Sequence, residues 1–201
     1  MLEKITTRMK RQGIFSTLVY LTCTVFLEKL GVEIIRLFVI KNDINLANDK
    51  RIKIYLPDDH LSEQLLGQIE DKCGAKYTSK IISKRKSGHI LAIANIDKCV
   101  ASLAWLSQIT EPGLLEKKTY WIIHGCLTFP EFRGKQLYPS MIKSLSHFVA
   151  RTEQQSKNIY IESSWTNKAS INGIKKCGFL GAGYTISFRD KVLINKRIIN
   201  G

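Results

Sequence analysis

Arg133, Gly134 and Lys135 stand between an apolar, β-branched run and an amphipathic one, with Pro139 close behind. Proline has no N–H, so a helix tolerates it only in the first turn. Pro139 therefore sets a helix start at about Gly134 to Gln136. The amides around residues 134 to 138 are then orphan donors at the positive end of the helix. Such an end binds anions. Arg133 and Lys135 add charge, and Gly134 lets a ligand approach the backbone. The plain alternative is a basic strand-to-helix loop with no ligand.

The elements that must position this loop are legible on both sides. Residues 51–57, "RIKIYLP", alternate and read as a strand ended by Pro57. A helix comes next, with an aspartate as N-cap and apolar residues at 61, 65, 66 and 69. Residues 76–88 read as a short helix or loop; their Lys80, Lys84, Arg85 and Lys86 suit phosphate or a solvated face. Three strands then form a meander: His89–Ile96, Cys99–Ile109 and about Thr119–Phe129. Beyond Pro130, the residues Leu137, Met141, Ile142, Leu145, Phe148 and Val149 keep helical spacing. Asn158–Trp165 is a strand. Thr166 is the N-cap candidate of a short helix ending near Lys176, and Gly178 is its C-cap glycine. The stretch "GYTISF" closes the domain as a strand. The order predicts an α+β domain with a mixed central sheet.

The chain has 201 residues, 44% of them apolar, which favours one globular domain with an appendage. A formal net charge of +14 attracts anions: nucleic acid, an anionic membrane face or a polyanionic small ligand. Five widely spaced cysteines have no zinc-like spacing, so they read as reduced thiols in a cytoplasmic protein, and no metal is expected. Cys126 reads as a strand residue rather than a nucleophile. Residues 1–45 are set apart as an N-terminal helical, amphipathic segment, and 46–201 as the folded domain. In the first forty residues, basic residues precede an uncharged run from Gly13 to Leu27. That run is shorter than the ~20 residues of a membrane span. Three readings stay open: a helix packed on the domain, an anchor lying on the inner membrane leaflet, and a short or tilted span.

The paired stretches "TFPEFRGKQLYP" and "NKASINGIKKCGF", with "IESSWTN" between them, resemble the GNAT superfamily of acyl-CoA-dependent N-acyltransferases. The resemblance covers roughly residues 50 to 190, and the Tyr-Pro pair is similar to a branch linked to surface-polysaccharide synthesis. It implies a GNAT-like mixed sheet with helices on both faces, and acetyl-CoA as co-substrate. It implies that Arg133, Gly134, Lys135, Gln136, Leu137 and Tyr138 hold the coenzyme's pyrophosphate, with Asn167 as a further contact. Leu127, Thr128 and Phe129 would meet the pantetheine arm where the last meander strand splays from the next. His124 and Glu162 are the base candidates, each on a strand beside that cleft; for His124 a hydrogen-bonded core histidine is the equal alternative. The family has small residues where Gln136 and Tyr138 stand, and many members have a tyrosine where Ile174 stands.

The function this implies is transfer of an acetyl group from acetyl-CoA to a small-molecule primary amine, such as a nucleotide-linked amino sugar. Acetylation of a protein or peptide amine is the alternative within the class. A non-catalytic GNAT-fold binding protein is the alternative outside it. The expected location is the cytoplasm, with peripheral contact through residues 1–40 at the inner membrane face. Nucleic acid is not expected as a partner, because no aromatic-basic repeat of an RNA-binding sheet is present. The sequence leaves the oligomeric state open.

Overall fold

The computed structural model describes residues 27, 30–40, 49–111, 118–152, 158–188 and 191–197. By internal contacts the chain divides into two compact units. One comprises Phe38–Glu162 and Asn172–Leu180; the other comprises Met1–Leu37, Ser163–Ile171 and Gly181–Gly201.

In the larger unit, the short strand β2 (Ile52–Tyr55) is followed by two helices, α1 (Glu63–Cys73) and α2 (Ala75–Lys86). Ser62, not an aspartate, caps α1, its hydroxyl accepting from the Leu65 N–H at 3.3 Å. Three long strands come next as β3 (Ile90–Ile96), β4 (Cys99–Glu111) and β5 (Lys118–Thr128), then α3 (Leu137–Thr152) and β6 (Ile159–Ser164). Strands β2, β3, β4 and β5 pair antiparallel in sequence, while β5 and β6 pair parallel, so the sheet is mixed.

Strand alternation sends successive side chains to opposite faces. On one face Leu91, Ile93, Leu103 and Trp105 pack with Ile69 of α1 and Ile81 of α2. On the other, α3 supplies Leu137, Met141, Ile142, Leu145 and Val149, all buried and spaced as the sequence predicts. Each such side chain contributes about 1.5–3 kcal/mol by leaving water. Helices therefore cover both faces of this sheet.

In the smaller unit, Val32–Ile40 forms strand β1, most of which belongs here. These residues are a strand and not, as expected, part of a helical segment reaching residue 45. Val32, Ile34, Ile35, Leu37 and Val39 are largely β-branched, which favours a pleated strand. Met1–Phe26 lies outside the described residues. Among the described residues, no helix is long and apolar enough to cross a membrane. Strands β7 (Leu180–Phe188) and β8 (Lys191–Arg197) pair antiparallel; β8 was not anticipated. Helix α4 (Lys168–Lys176), whose residues from Asn172 on are counted with the larger unit, is capped by Asn167, whose Oδ1 accepts from the Ser170 N–H at 3.1 Å. The Thr166 hydroxyl bonds Ser164 instead, so the cap lies one residue later than predicted. Gly178 has φ +86° and ends the helix as expected.

Strand β5 carries one irregularity that shapes its C-terminal half. Trp105 pairs with His124, and Leu103 pairs with Leu127, so Gly125 and Cys126 together oppose Ala104 alone. This is a β-bulge, and Gly125 takes φ +58° to make it. A Cβ at Gly125 would also sit 3.0 Å from Trp105 Cδ1. The bulge begins two residues after Ile123, the last paired residue of the β5–β6 ladder. That ladder joins only Trp121–Ile123 to Ile159–Ile161. Beyond it no pairing joins the two strands among the described residues, as the family resemblance implies. Replacing Gly125 by alanine forces a side chain into the left-handed region, at about 1–2 kcal/mol. We expect Gly125→Ala to lower Tm by roughly 2–8 °C in a thermal melt; an unchanged Tm would show that the bulge does not depend on glycine.

Candidate active site

The bulge directs the backbone of β5. Ser102 and Thr128 form a non-hydrogen-bonded pair, since the Phe129 N–H donates to the Ala101 carbonyl at 3.1 Å. The N–H and C=O of Thr128 therefore point away from β4, toward the side where β6 has separated. The Leu127 carbonyl faces β4, where the Ser102 hydroxyl donates to it at 2.8 Å. Phe129 is committed on both sides, because its carbonyl also accepts from the Phe132 N–H at 3.0 Å. Of the three predicted pantetheine contacts, Thr128 alone offers an open backbone edge. Leu127 and Phe129 are engaged within the fold.

The loop after β5 makes a 3-10 turn at Pro130–Phe132, and α3 then starts at Leu137, just after the predicted start. Among the described residues, no backbone carbonyl accepts from the amides of Gly134, Lys135, Gln136 or Leu137. Gly134 has φ +83°, and a Cβ there would meet nothing within 4 Å, so its amide is open to approach. Gln136 takes φ +57° without being glycine. Glycine would take this left-handed conformation without strain. Tyr138 turns toward α4, where a Cβ on Gly173 would lie 2.8 Å from the tyrosine ring. Gly173 thus makes the room that lets a bulky residue replace a small one. Arg51 braces the loop, donating to the Lys135 carbonyl at 3.4 Å while paired with Asp49 at 2.6 Å. Lys72 pairs with Glu131 and lies over the rings of Phe129 and Phe132. Open amides, a bare Gly134 and the charges of Arg133 and Lys135 together fit a pyrophosphate.

On the α1/α2 face, next to the bulge, the structure assembles a polar chain. His124 Nε2 lies 2.8 Å from the Ser107 hydroxyl, which also bonds His89 Nδ1. The other nitrogen, Nδ1, lies 3.5 Å from Lys84 Nζ. An ammonium only donates, so Nδ1 is the acceptor. His124 then carries its proton on Nε2 and donates it to Ser107, and Ser107 donates to His89. Burial, then the charges of Lys84, His89 and Lys80, lower the His124 pKa to about 4. Burial, then Lys84, also lowers that of His89. Lys84 itself is lowered by burial and Lys80, with Glu162 acting in the opposite sense. Cys126 is pushed up to about 12 by burial and Glu162, so it stays a thiol and is no nucleophile.

The structure therefore brings Arg133–Tyr138, Thr128, His124 and Glu162 into one unit, with Glu162 exposed on β6. Asn167 falls in the other unit. Sequence reasoning missed Ser107, His89 and the role of Lys84. Ser107 and Trp105 share a face by alternation, but their cross-strand partners depend on a bulge that no local pattern announces. Among the described residues, no cluster of His, Cys, Asp and Glu suits a metal ion.

No family model matches the chain, and no curated protein matches its sequence. Solved structures share its fold. A tandem GNAT protein from the clavulanic acid biosynthesis pathway aligns at TM-score 0.52 and 12% identity, over 84% of this chain and 59% of that one. A functionally unknown conserved protein from Staphylococcus epidermidis aligns at TM-score 0.52 and 12% identity, over 81% and 64% of the two chains. A Drosophila protein aligns at TM-score 0.51 and 12% identity, over 82% and 56%. The chain spans less than two thirds of the length of each. The likeness establishes a GNAT-like α+β fold.

The site has a consequence for stability. His124 titrates near 4 in the folded chain, against an ordinary 6.5. Acid protonates the unfolded chain first, so this histidine's contribution is full above about pH 6.5 and is lost as pH falls toward 4. His124→Gln should lose less Tm than the parent between those two pH values. Parallel curves for the two proteins would show that His124 is not held neutral.

Proposed function

We propose that the protein is an acyl-CoA-dependent N-acetyltransferase, moving an acetyl group from acetyl-CoA to a primary amine. The observation that carries this reading is one strand, β5, which ends in an anion-binding loop, opens its Thr128 edge, and presents a neutral imidazole at the same bulge. In this reading Arg133, Lys135 and the amides of Gly134–Tyr138 bind the pyrophosphate. Thr128 pairs with the pantetheine amide, and the acyl group lies beside the bulge.

The amine lone pair attacks the thioester carbonyl carbon. A C–N bond forms and the carbonyl electrons move to oxygen. The nitrogen of the adduct is cationic and far more acidic than a free ammonium, so even the weakly basic His124 accepts its proton. The oxyanion then reforms the carbonyl, the C–S bond breaks, and the coenzyme leaves as thiolate. Ser107 and His89 extend the proton path away from His124. Ile174 has no proton to give and is fully buried, so the thiolate takes its proton from solvent or from the His124 imidazolium. The products are an amide and the free thiol.

The basic balance of the chain favours an acceptor with negative charge, and a nucleotide-linked amino sugar of surface-polysaccharide synthesis is the acceptor we favour. A protein or peptide amine is the alternative acceptor. Contact of the N-terminal segment with an anionic membrane would favour acceptors displayed there. Full-length protein floating with phosphatidylserine vesicles would support that contact, and protein left at the bottom of the gradient would remove it.

Acetyl-CoA should raise Tm by mass action, RT ln(1 + [L]/Kd). Arg133→Glu should abolish the shift while leaving the Tm of the unliganded protein unchanged, because the loop is exposed. No shift at millimolar acetyl-CoA, or an undiminished shift in the variant, would overturn the reading.

A further inference from the structure

Among the described residues, Lys84 is the group that contacts His124 Nδ1, the nitrogen on which a base would act. It reaches that position from the last turn of α2, with its ammonium 5.2 Å above the Trp105 ring and 3.5 Å from Nδ1. The opposite nitrogen is engaged with Ser107 at 2.8 Å. In this arrangement His124 has no lone pair to offer, and it becomes a base only when Lys84 withdraws.

What would draw the lysine away is set by the charges around it. The groups that act on His124 are Lys80 and Lys84 from α2, His89 ahead of β3, and Trp105 and Ser107 from β4, while Glu162 from β6 acts on Lys84. Both histidines are neutral, so among the described residues the ammonium groups of Lys80 and Lys84 outnumber Glu162, the carboxylate that acts on Lys84. Among the described residues, neither lysine forms an ion pair; the two pairs present are Asp49–Arg51 and Lys72–Glu131. A partly desolvated ammonium over an indole ring, without a carboxylate in contact, is an anion receptor.

We propose that Lys84 reads the acceptor: an anionic group on the amine, a phosphate or carboxylate, takes its ammonium from His124 Nδ1 and so frees the base. This rests on the reading of His124 as the base of acetyl transfer. It makes Lys84 a specificity residue, and it couples binding of the right acceptor to activation of the site. Polycationic amines lack the group that moves Lys84, and Lys80 and Lys84 repel them.

The test does not require the natural acceptor. The wild-type protein is saturated with coenzyme A to fill the loop, and the His124 imidazole is followed by NMR as inorganic phosphate, or separately acetate, is added. The expected result is that the anion moves the His124 nitrogen signals and raises its titration midpoint by roughly 1 unit. Response to phosphate alone assigns a phosphorylated acceptor, and response to acetate alone a carboxylate. Lys84→Met should show a raised midpoint without any anion and no further response. Lys84→Arg, which keeps the charge, should retain the response and controls for folding. Signals of His124 that ignore both anions in the wild-type protein would overturn the proposal, as would an undiminished response in Lys84→Met. Failure of coenzyme A to bind is seen separately in the thermal shift, so it strikes the enzyme reading and not the anion response of His124.

Discussion

The left-handed residue at Gly125 is the constraint on which the rest of the site depends. A strand that paired regularly with β4 on one side and β6 on the other would have no free edge. By opposing two residues to Ala104, the bulge releases β5 from its parallel neighbour after Ile123. It also fixes which faces Leu127 and Thr128 present relative to His124, since one inserted residue changes the side-chain alternation beyond it. The Trp105 ring against Gly125 locks this geometry, because no Cβ fits there comfortably. Trp105 in turn lies beneath Lys84 and edge-on to His89. One contact thus ties together the opening of the strands, the orientation of the imidazole and the position of the lysine.

The phosphate loop shows how the same function survives unusual residues. Gln136 accepts the left-handed conformation that glycine would take without strain, at a conformational cost of about 1–2 kcal/mol. Tyr138 is accommodated by a change elsewhere, since Gly173 on α4 leaves space for its ring. Pro139 adds the third condition by confining the helix start. The loop therefore keeps its open amides although its side chains are bulkier, and the neighbouring helix absorbs the difference. This is a compensation between α3 and α4 rather than a defect in the loop.

Much of the fold was legible because its elements have strong local signals. The apolar spacing of α3, the alternating strands and the proline at 139 each point to one structure. The strand character of Val32–Ile40 was missed because Glu33 and Arg36 stand three residues apart in an apolar run, a spacing that also suits an amphipathic helix. The site was half legible. Arg133–Tyr138 carries its chemistry in consecutive residues, so spacing alone reveals it. The His89–Ser107–His124–Lys84 chain draws on residues of two meander strands, one residue just ahead of the third, and a helix. Its assembly depends on register, and register depends on the bulge. Lys84 looked like one lysine of a solvated face because nothing local distinguishes it from Lys80 or Lys86.

The central claim is that His124 serves acetyl transfer at the opened β5 edge. It is tested most directly by following release of the coenzyme thiol from acetyl-CoA as primary amines bearing phosphate, carboxylate or no anion are supplied. The account predicts amine-dependent thiol release by the wild-type protein. It predicts loss of that release in His124→Gln, with the acetyl-CoA thermal shift retained. Thiol release by His124→Gln at the wild-type rate would contradict it, as would binding of acetyl-CoA with no amine-dependent release from the wild-type protein.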